Sequence, residues 1–103
     1  MSLIDNLKII LEKGQDDALL RYSLGNAYLH NREYSLAIEH LSKAIEHNPD
    51  YSAAWKAYAR ALAENNRLED AVSTYEKGIL IAEKKGDIQA AKEMKVFLKR
   101  LKK

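Results

Sequence analysis

The sequence predicts an all-α fold in which antiparallel helical hairpins stack into an α-solenoid of about six helices. Its 103 residues include one proline and four glycines, and the good helix formers Ala, Leu, Glu and Lys dominate the rest. Apolar residues recur at helical spacing, and residues 18–51 match residues 52–85 in size class at every apolar position. This 34-residue period predicts a single domain over residues 1–103.

Residues 1–15 predict a helix that covers the N-terminal end of the stack, as half of a repeat. Its apolar stripe lies one 34-residue period before the stripe of a later helix. In this register Leu3, Leu7 and Ile10 correspond to Ala37, Leu41 and Ala44.

Residues 18–51 predict two helices, one from residue 18 to about 31 and one from residue 34 to about 47. The segment "HNRE" between them predicts a tight turn. Pro49 cannot continue the second helix, because it lacks the backbone N–H that the helix needs. Asp50 follows it and is expected to cap the next helix.

Residues 52–85 repeat this scheme, with a helix to about residue 64, a turn at "NNR" and a helix over residues 68–85. Gly86 and Asp87 are expected to stop that helix. Residues 87–102 predict a terminal helix that packs inward and is solvated outward, because its outer face is rich in lysine. Its inward stripe is predicted to be Ile88, Ala91, Met94, Leu98 and Leu101.

A glycine in mid-helix costs about 1 kcal/mol relative to alanine, so Gly25 needs a reason. Antiparallel helices require small side chains where their axes come closest. Gly25 and Ala37 are predicted at this crossing in the first hairpin, and Ala59 and Ala71 in the second. Leucine at position 25 would overpack the crossing and destabilise the fold. The small residues predicted to admit the following helix are Ala44 and Gly78.

With these residues the chain resembles the tetratricopeptide repeat family, which combines Trp, Leu-Gly, Tyr, Ala and Pro positions at a 34-residue period. The first repeat departs at Arg21, where tryptophan is usual, and the second at Gly78 and Glu83, where alanine and proline are usual. The resemblance covers residues 18–85 and implies a protein–protein interaction module, acting as a scaffold or adaptor. The repeat positions are Leu24, Gly25, Tyr28, Ala37, Leu41, Ala44 and Pro49, then Trp55, Ala59, Leu62, Ala71 and Tyr75.

No motif for catalysis occurs: there is no Gly-rich phosphate loop, no H-E-x-x-H and no glycine-flanked serine. We therefore expect no enzyme, cofactor or metal. The absence of cysteine, of a signal-like N-terminus and of a long apolar run predicts a cytoplasmic protein. The acidic pairs Asp16–Asp17 and Glu69–Asp70 suit helix starts. The histidines, predicted to face solvent, are His30, His40 and His47.

The first helix of each hairpin is expected to line a concave groove that holds a peptide or a partner helix. Tyr22 offers apolar area with a hydroxyl group, and Asn26 can both donate to and accept from a peptide backbone. Lys56 and Arg60 would favour an acidic or carboxylate-bearing ligand, although ordinary solvated side chains give the same pattern. The predicted groove residues are Tyr22, Asn26, Leu29, His30, Lys56 and Arg60.

Some members of the family clamp the C-terminal carboxylate of chaperone tails with lysine, asparagine and arginine side chains. Only Asn26 matches that set in this chain. Tyr22 stands where the first lysine belongs, and Ala57 where the second asparagine belongs. The resemblance therefore does not extend to this clamp.

The C-terminal helix is basic, since residues 84–103 carry eight Lys or Arg against two Asp or Glu. Besides a plain cap, three alternatives stay open: a homodimer that buries Phe97, an anionic membrane surface, and contact with nucleic acid phosphates. We favour the cap, because its cations suit the C-terminal end of the helix dipole. We expect neither nucleic acid nor membrane as a partner, and a homodimer is the alternative function.

Overall fold

The computed structural model describes residues 2–103, and these form six helices and no strand, which confirms the all-α prediction. The helices are α1 (Leu3–Glu12), α2 (Ala18–His30), α3 (Tyr34–His47), α4 (Ser52–Glu64), α5 (Leu68–Lys85) and α6 (Ile88–Leu101).

Side-chain caps begin three of the six helices in the described residues, α1, α2 and α6. The Asp17 carboxylate caps α2 by accepting a hydrogen bond from Leu20 N at 2.8 Å. Glu69 and Asp70 lie in the first turn of α5, as predicted from the helix dipole. Gly86 ends α5 with φ of 85°, a left-handed conformation that costs glycine little.

The start of α4 differs from the prediction, because Asp50 does not cap it. The N-cap residue is Tyr51, which makes no side-chain capping bond. Asp50 lies one residue too early, in the turn after Pro49, where its backbone N–H donates to Asn48 Oδ1 at 3.1 Å. Turn geometry therefore takes precedence over side-chain capping at this position.

Consecutive helices pack against each other as antiparallel neighbours, and two groups of buried side chains hold the stack together. The first group spans α2, α3 and α4, and partly buried side chains of α1 pack against it. The second group spans α4, α5 and α6. The first contains Leu24, Tyr28, Leu29, Ala37, Leu41, Ala57 and Ala61, and the second Ala59, Tyr75, Ile79, Ala82, Ala90, Ala91 and Met94.

Gly25 lies buried where α2 and α3 approach each other. A Cβ atom on this residue would lie 2.4 Å from Leu41 Cγ and 3.2 Å from Leu41 N. The closest contact is therefore with Leu41, one turn further along α3 than the Ala37 predicted for the crossing. Because backbone as well as side-chain atoms are this close, the site requires glycine.

Gly78 plays the corresponding part between α5 and the helices beside it. A Cβ atom on Gly78 would lie 2.8 Å from Met94 Sδ in α6 and 3.1 Å from Trp55 Cβ in α4. This confirms the prediction that Gly78 admits the following helix. Trp55 also ties α4 to the preceding turn, because its indole N–H donates to the carbonyl oxygen of Pro49 at 2.8 Å.

Arg21 stands one repeat before Trp55 and links α2 to α3 by polar contacts instead. Its guanidinium donates to both Asp16 carboxylate oxygens, from Nε at 2.8 Å and from Nη2 at 2.9 Å. Its Nη1 lies 3.1 Å from Nδ1 of His40. His47 Nε2 lies 3.0 Å from the same Asp16 carboxylate. An ionic network thus replaces the usual tryptophan.

This network corrects the prediction that all three histidines face solvent. His40 is half-buried, with its ring stacked on Tyr28 at 5.5 Å between centroids. Burial and the neighbouring Arg21 lower the pKa of His40. Hydrogen bonding to Arg21 holds the pKa of the Asp16 carboxyl well below its usual range. His30 is exposed, as predicted.

Gly25→Ala is expected to lower the free energy of unfolding by about 1–3 kcal/mol, because overpacking outweighs a gain of about 1 kcal/mol in helix propensity. Chemical denaturation measures the change. Ser73→Ala, at an exposed position of α5, is the control and is expected to stay within about 0.5 kcal/mol of wild type. In a Leu41→Ala background the two shortest contacts are removed and only the 3.2 Å contact with the backbone N of residue 41 remains, so Gly25→Ala should destabilise less; equal losses in both backgrounds would contradict the close contact.

The free energy of unfolding should contain a His40 contribution that decreases as pH falls from about 7.5 to about 5.5. Because the folded-state pKa of His40 lies below its ordinary value of 6.5, the unfolded chain binds more protons in this window. Glu39 and Asp16 oppose the shift and Lys8 assists it, but burial dominates.

Denaturation at the two pH values in wild type, His40→Gln and His30→Gln checks this contribution. The loss of stability at the lower pH should shrink in His40→Gln and persist in His30→Gln. An unchanged pH dependence in His40→Gln would show that Arg21 and burial do not disfavour the protonated ring.

Candidate functional site

A groove crosses the first helices of the hairpins, and α6 forms its third wall. Its centre is a depression of about 300 Å³ at which α2, α4 and α6 meet. Binding sites on proteins are commonly concave surfaces of this kind, with a few polar groups among apolar ones. We call this surface the groove; its lining residues are Tyr22, Asn26, Leu29, Ala53, Lys56, Ala57, Arg60, Glu93 and Phe97.

The groove brings together five of the six predicted binding residues. Tyr22 and Asn26 lie half-buried on α2, and Arg60 lies exposed on α4. Leu29 is only 8% exposed, so it belongs to the core and offers the groove no more than an edge. His30 lies outside the central depression, on the neighbouring depressions towards Arg32 and towards α1.

Lys56 is not the free cation that the sequence predicts. Its Nζ donates to Glu93 Oε1 of α6 at 2.8 Å. The hydrogen bond from Lys56 lowers the pKa of the Glu93 carboxyl, so the two side chains form an ion pair at neutral pH. Arg60 is therefore the one unpaired cation among the groove residues within the described part of the chain.

Phe97, which the sequence analysis connected with a homodimer contact, gives the groove an aromatic floor. Its ring stacks on Tyr75 with 6.0 Å between centroids, and the Arg100 guanidinium carbon lies 5.8 Å from its centroid. Burial raises the pKa of Tyr75 to about 12, so this ring stays neutral. Arg60, Phe97 and Arg100 together line a further depression of about 310 Å³.

The third wall is fixed to α4 by a short hydrogen bond. Ser52 Oγ donates to Asp87 Oδ2 at 2.6 Å, and Asp87 Oδ1 accepts from Ala90 N at 3.2 Å as the N-cap of α6. The Ser52 hydrogen bond, assisted by that from Ala90, lowers the pKa of the Asp87 carboxyl. Asp87 therefore orients the whole helix that carries Glu93 and Phe97.

Residues 2–103 contain no group of three or more His, Cys, Asp or Glu side chains placed to hold a metal ion. None of the helices in this part of the chain is long and apolar enough to cross a membrane. The groups that the groove offers to a ligand are aromatic rings, an amide side chain and arginine cations. All of these can bind a ligand.

The sequence profile of the tetratricopeptide repeat matches residues 4–46 and 22–88, two overlapping stretches that span most of the chain. The chain belongs to the tetratricopeptide repeat (TPR) family. A TPR repeat-containing protein of Pseudomonas aeruginosa is 42% identical over 99 residues, which cover 96% of this chain and 94% of the relative. The family resemblance predicted from the repeat positions is thus confirmed.

Solved structures share the whole arrangement of helices. A protein of Bordetella parapertussis has a TM-score of 0.88 at 35% identity, covering 98% of this chain and 88% of its own. The second TPR domain of human RPAP3, in complex with an HSP70 peptide, has a TM-score of 0.81 at 26% identity. The match covers 97% of this chain and 78% of the RPAP3 chain. The TPR2B domain of yeast Sti1, in a pHsp70 complex, shares the fold, with a TM-score of 0.89 at 17% identity. The match covers 96% of this chain and 79% of the Sti1 chain.

Within this TPR fold, α6 takes the place of the first helix of a third repeat, but in a shifted register. Glu93 follows its groove partner Lys56 by 37 residues rather than by the 34 of the repeat. The shift arises because α5 is four residues longer than α3 while the connection after it is two residues shorter, so α6 begins 36 residues after α4 whereas α4 begins 34 residues after α2. The 34-residue alignment therefore could not place Glu93 and Phe97; the i, i+4 spacing that they share with Lys56 and Arg60 is the signal that could have found them.

The shift also corrects the inward stripe predicted for the last helix. Ala91 and Met94 are buried as expected, but Ile88 is 65% exposed. Phe97, which was the basis for a dimer through this helix, is half-buried against Tyr75 of its own chain. The remaining outer face of α6 is rich in exposed lysine, as the sequence predicts.

Asp87→Ala is expected to lower the free energy of unfolding by about 1–2 kcal/mol, since it removes both a cap and a hydrogen bond between helices. Asp17→Ala, which removes a cap and one exposed 3.4 Å hydrogen bond from the neighbouring Gln15, but no bond between helices, is the matched control and should cost less. Ser52→Ala and Asp87→Ala should show a coupling of about 0.5–1.5 kcal/mol in a double-mutant cycle measured by denaturation. Zero coupling, with equal costs for the two aspartates, would mean that Ser52 does not hold α6.

Proposed function

We propose that the chain is an adaptor that holds a peptide of a partner protein in its groove, by binding and without catalysis. The observation that carries this is the Phe97 ring, half-buried on the groove floor, with the unpaired Arg60 and Arg100 beside it. An apolar surface flanked by cations suits a ligand with an apolar side chain next to an acidic one.

Tyr22 and Asn26 extend this surface along α2. The Tyr22 ring packs at 5.1 Å from that of Tyr51, which holds it in place beside the groove. Asn26 lies one turn further on and can pair with both the N–H and the C=O of a peptide bond. Asn26 would thus hydrogen-bond the backbone of an extended peptide, while Phe97 and Arg60 would contact its side chains.

The relatives support a peptide ligand of this general kind. The RPAP3 domain binds an HSP70 peptide, so a TPR domain of closely similar shape accommodates a peptide ligand. The ligand proposed here differs from a chaperone tail in one respect. Glu93 faces the groove and neutralises Lys56, so a terminal carboxylate would find one cation fewer than Lys56 and Arg60 would supply together.

A groove variant that keeps the fold should lose the partner. Tyr22→Ala, Asn26→Ala and Arg60→Glu are combined, because these residues are accessible; Lys56 is left unchanged, since Lys56→Glu would place two carboxylates together. Affinity capture from a native lysate with mass-spectrometric readout compares this variant with wild type. We expect a partner that wild type captures and the variant does not, and that is released as salt rises.

Lys77→Glu, an equal change of charge at an exposed position of α5, is the matched control and should capture the partner normally. Circular dichroism first establishes that both proteins melt like wild type. A partner that the groove variant retains, or a lysate from which wild type captures nothing, would contradict the proposal.

A further inference from the structure

Helix α1 is unusual in being rich in apolar residues while burying none of them. Six of its ten residues are Leu or Ile, yet none of the ten is buried. Among the helices of the described residues it packs on α2 alone, through Ile4, Leu7 and Leu11. Leu3 and Ile10 consequently lack a cover.

The internal repeat shows what covers this surface elsewhere in the chain. Leu3, Leu7 and Ile10 correspond to Ala37, Leu41 and Ala44 of α3, which are all 0% exposed. Ala37 and Leu41 pack with side chains of α2, the first helix of their own repeat. In α1, Leu3 is 64% exposed and Ile10 is 37% exposed. The uncovered stripe of α1 therefore has the position at which every later hairpin receives an antiparallel helix.

The adjoining side of α2 gives the same result independently. Ala57 and Ala61 of α4 are 7% and 0% exposed, because they pack against α2. Their counterparts one repeat earlier, Ser23 and Ala27, lie only half-buried on a cavity of about 520 Å³ between α1 and α2. Leu19, on the same stripe, is 65% exposed. The uncovered surface is thus a notch with two walls, shaped for one helix.

We define the N-terminal notch by the residues on these two stripes. Among the described residues that line its cavity none is Asp, Glu, Lys or Arg, so its occupant presents an uncharged face. The notch residues are Leu3, Ile10 and the exposed edge of the half-buried Leu7 on α1, with Leu19, Ser23 and Ala27 of α2.

We propose that helix α1 of a second copy of this chain fills the N-terminal notch, and that a two-fold axis makes the exchange reciprocal. Helix α1 is the right occupant because it carries an uncharged Leu and Ile stripe with the i, i+4, i+7 spacing of a packed helix. A two-fold arrangement covers both notches at once and closes the assembly at two copies. Antiparallel packing then brings Leu3 opposite Ile10 of the second copy.

The size of the interface sets the strength of this dimer. A helix of ten residues is about 15 Å long, so the contact falls at the lower end of specific interfaces, below about 1,200 Å². The dimer is therefore reversible and forms at micromolar to millimolar concentration. Because Tyr22 and Asn26 line both this cavity and the groove, the second copy lies beside the peptide site.

Sedimentation of the full chain tests the dimer. The average mass should rise from 11.7 kDa towards twice that value as concentration increases from about 10 μM to about 1 mM. Leu3→Lys with Leu19→Lys should keep the chain monomeric throughout without lowering its melting temperature at low concentration. Leu80→Lys, at a position that is 67% exposed on α5, is the matched control and should dimerise like wild type.

Cysteine cross-linking tests the geometry, because the chain has no cysteine of its own. Under an added oxidant, a mixture of Leu3→Cys and Ile10→Cys chains should form the mixed disulfide faster than either chain pairs with itself. Leu80→Cys should cross-link no faster than chance collision allows.

Three outcomes would overturn the proposal. The first is a chain that stays monomeric at every concentration, even if another protein is found to bind the N-terminal notch. The second is a dimer that survives Leu3→Lys with Leu19→Lys, which would place self-association elsewhere, for example on α6. The third is preferred cross-linking between two Leu3→Cys chains, which would exclude the antiparallel arrangement.

Discussion

Close contact between successive helices is the constraint on which the rest of the structure depends. At Gly25 and Gly78 a single added carbon would collide with the neighbouring helix, so the chain accepts a helix-propensity cost of about 1 kcal/mol at each. In return, well-packed interfaces form at both ends of the stack. The second contact has the wider effect, because Gly78 lets Met94 approach and so determines where α6 lies and what it presents to the groove.

Much of the fold was predictable because its determinants are local. Capping residues, turns and the apolar period fixed the helix ends and the buried stripes around Leu24 and Leu41 without knowledge of any neighbour. Apart from the cap expected at Asp50, the errors concern residues whose partners come from elsewhere in the chain. In the sequence Arg21 only replaces the usual tryptophan. In the structure it contacts both Asp16 and His40, and His40 lies 19 residues after Arg21 on another helix. No pattern within one helix encodes such a network.

The candidate site was half predictable for the same reason. Tyr22 and Asn26 share one helix face, and so do Lys56 and Arg60, so spacing alone placed each pair on the groove. The groove residues of the third wall, Glu93 and Phe97 of α6, were not predicted, because their register depends on the length of α5. This omission matters for the chemistry: Glu93 neutralises one of the two expected cations, and Phe97 with Arg100 supplies a surface that has more aromatic and less cationic character than the sequence suggested.

The length of α5 has a consequence for how such a protein can diversify. With the 34-residue register, Ala90 and Met94 would follow Lys56 and Arg60 onto the groove; with the observed register of 37, Glu93 and Phe97 do so. The inserted turn lies on a helix that contributes no side chain to the central depression, yet it selects which residues of the next helix meet a ligand. Specificity in a helical stack can therefore change by rephasing one helix, while every residue of the other two walls stays the same.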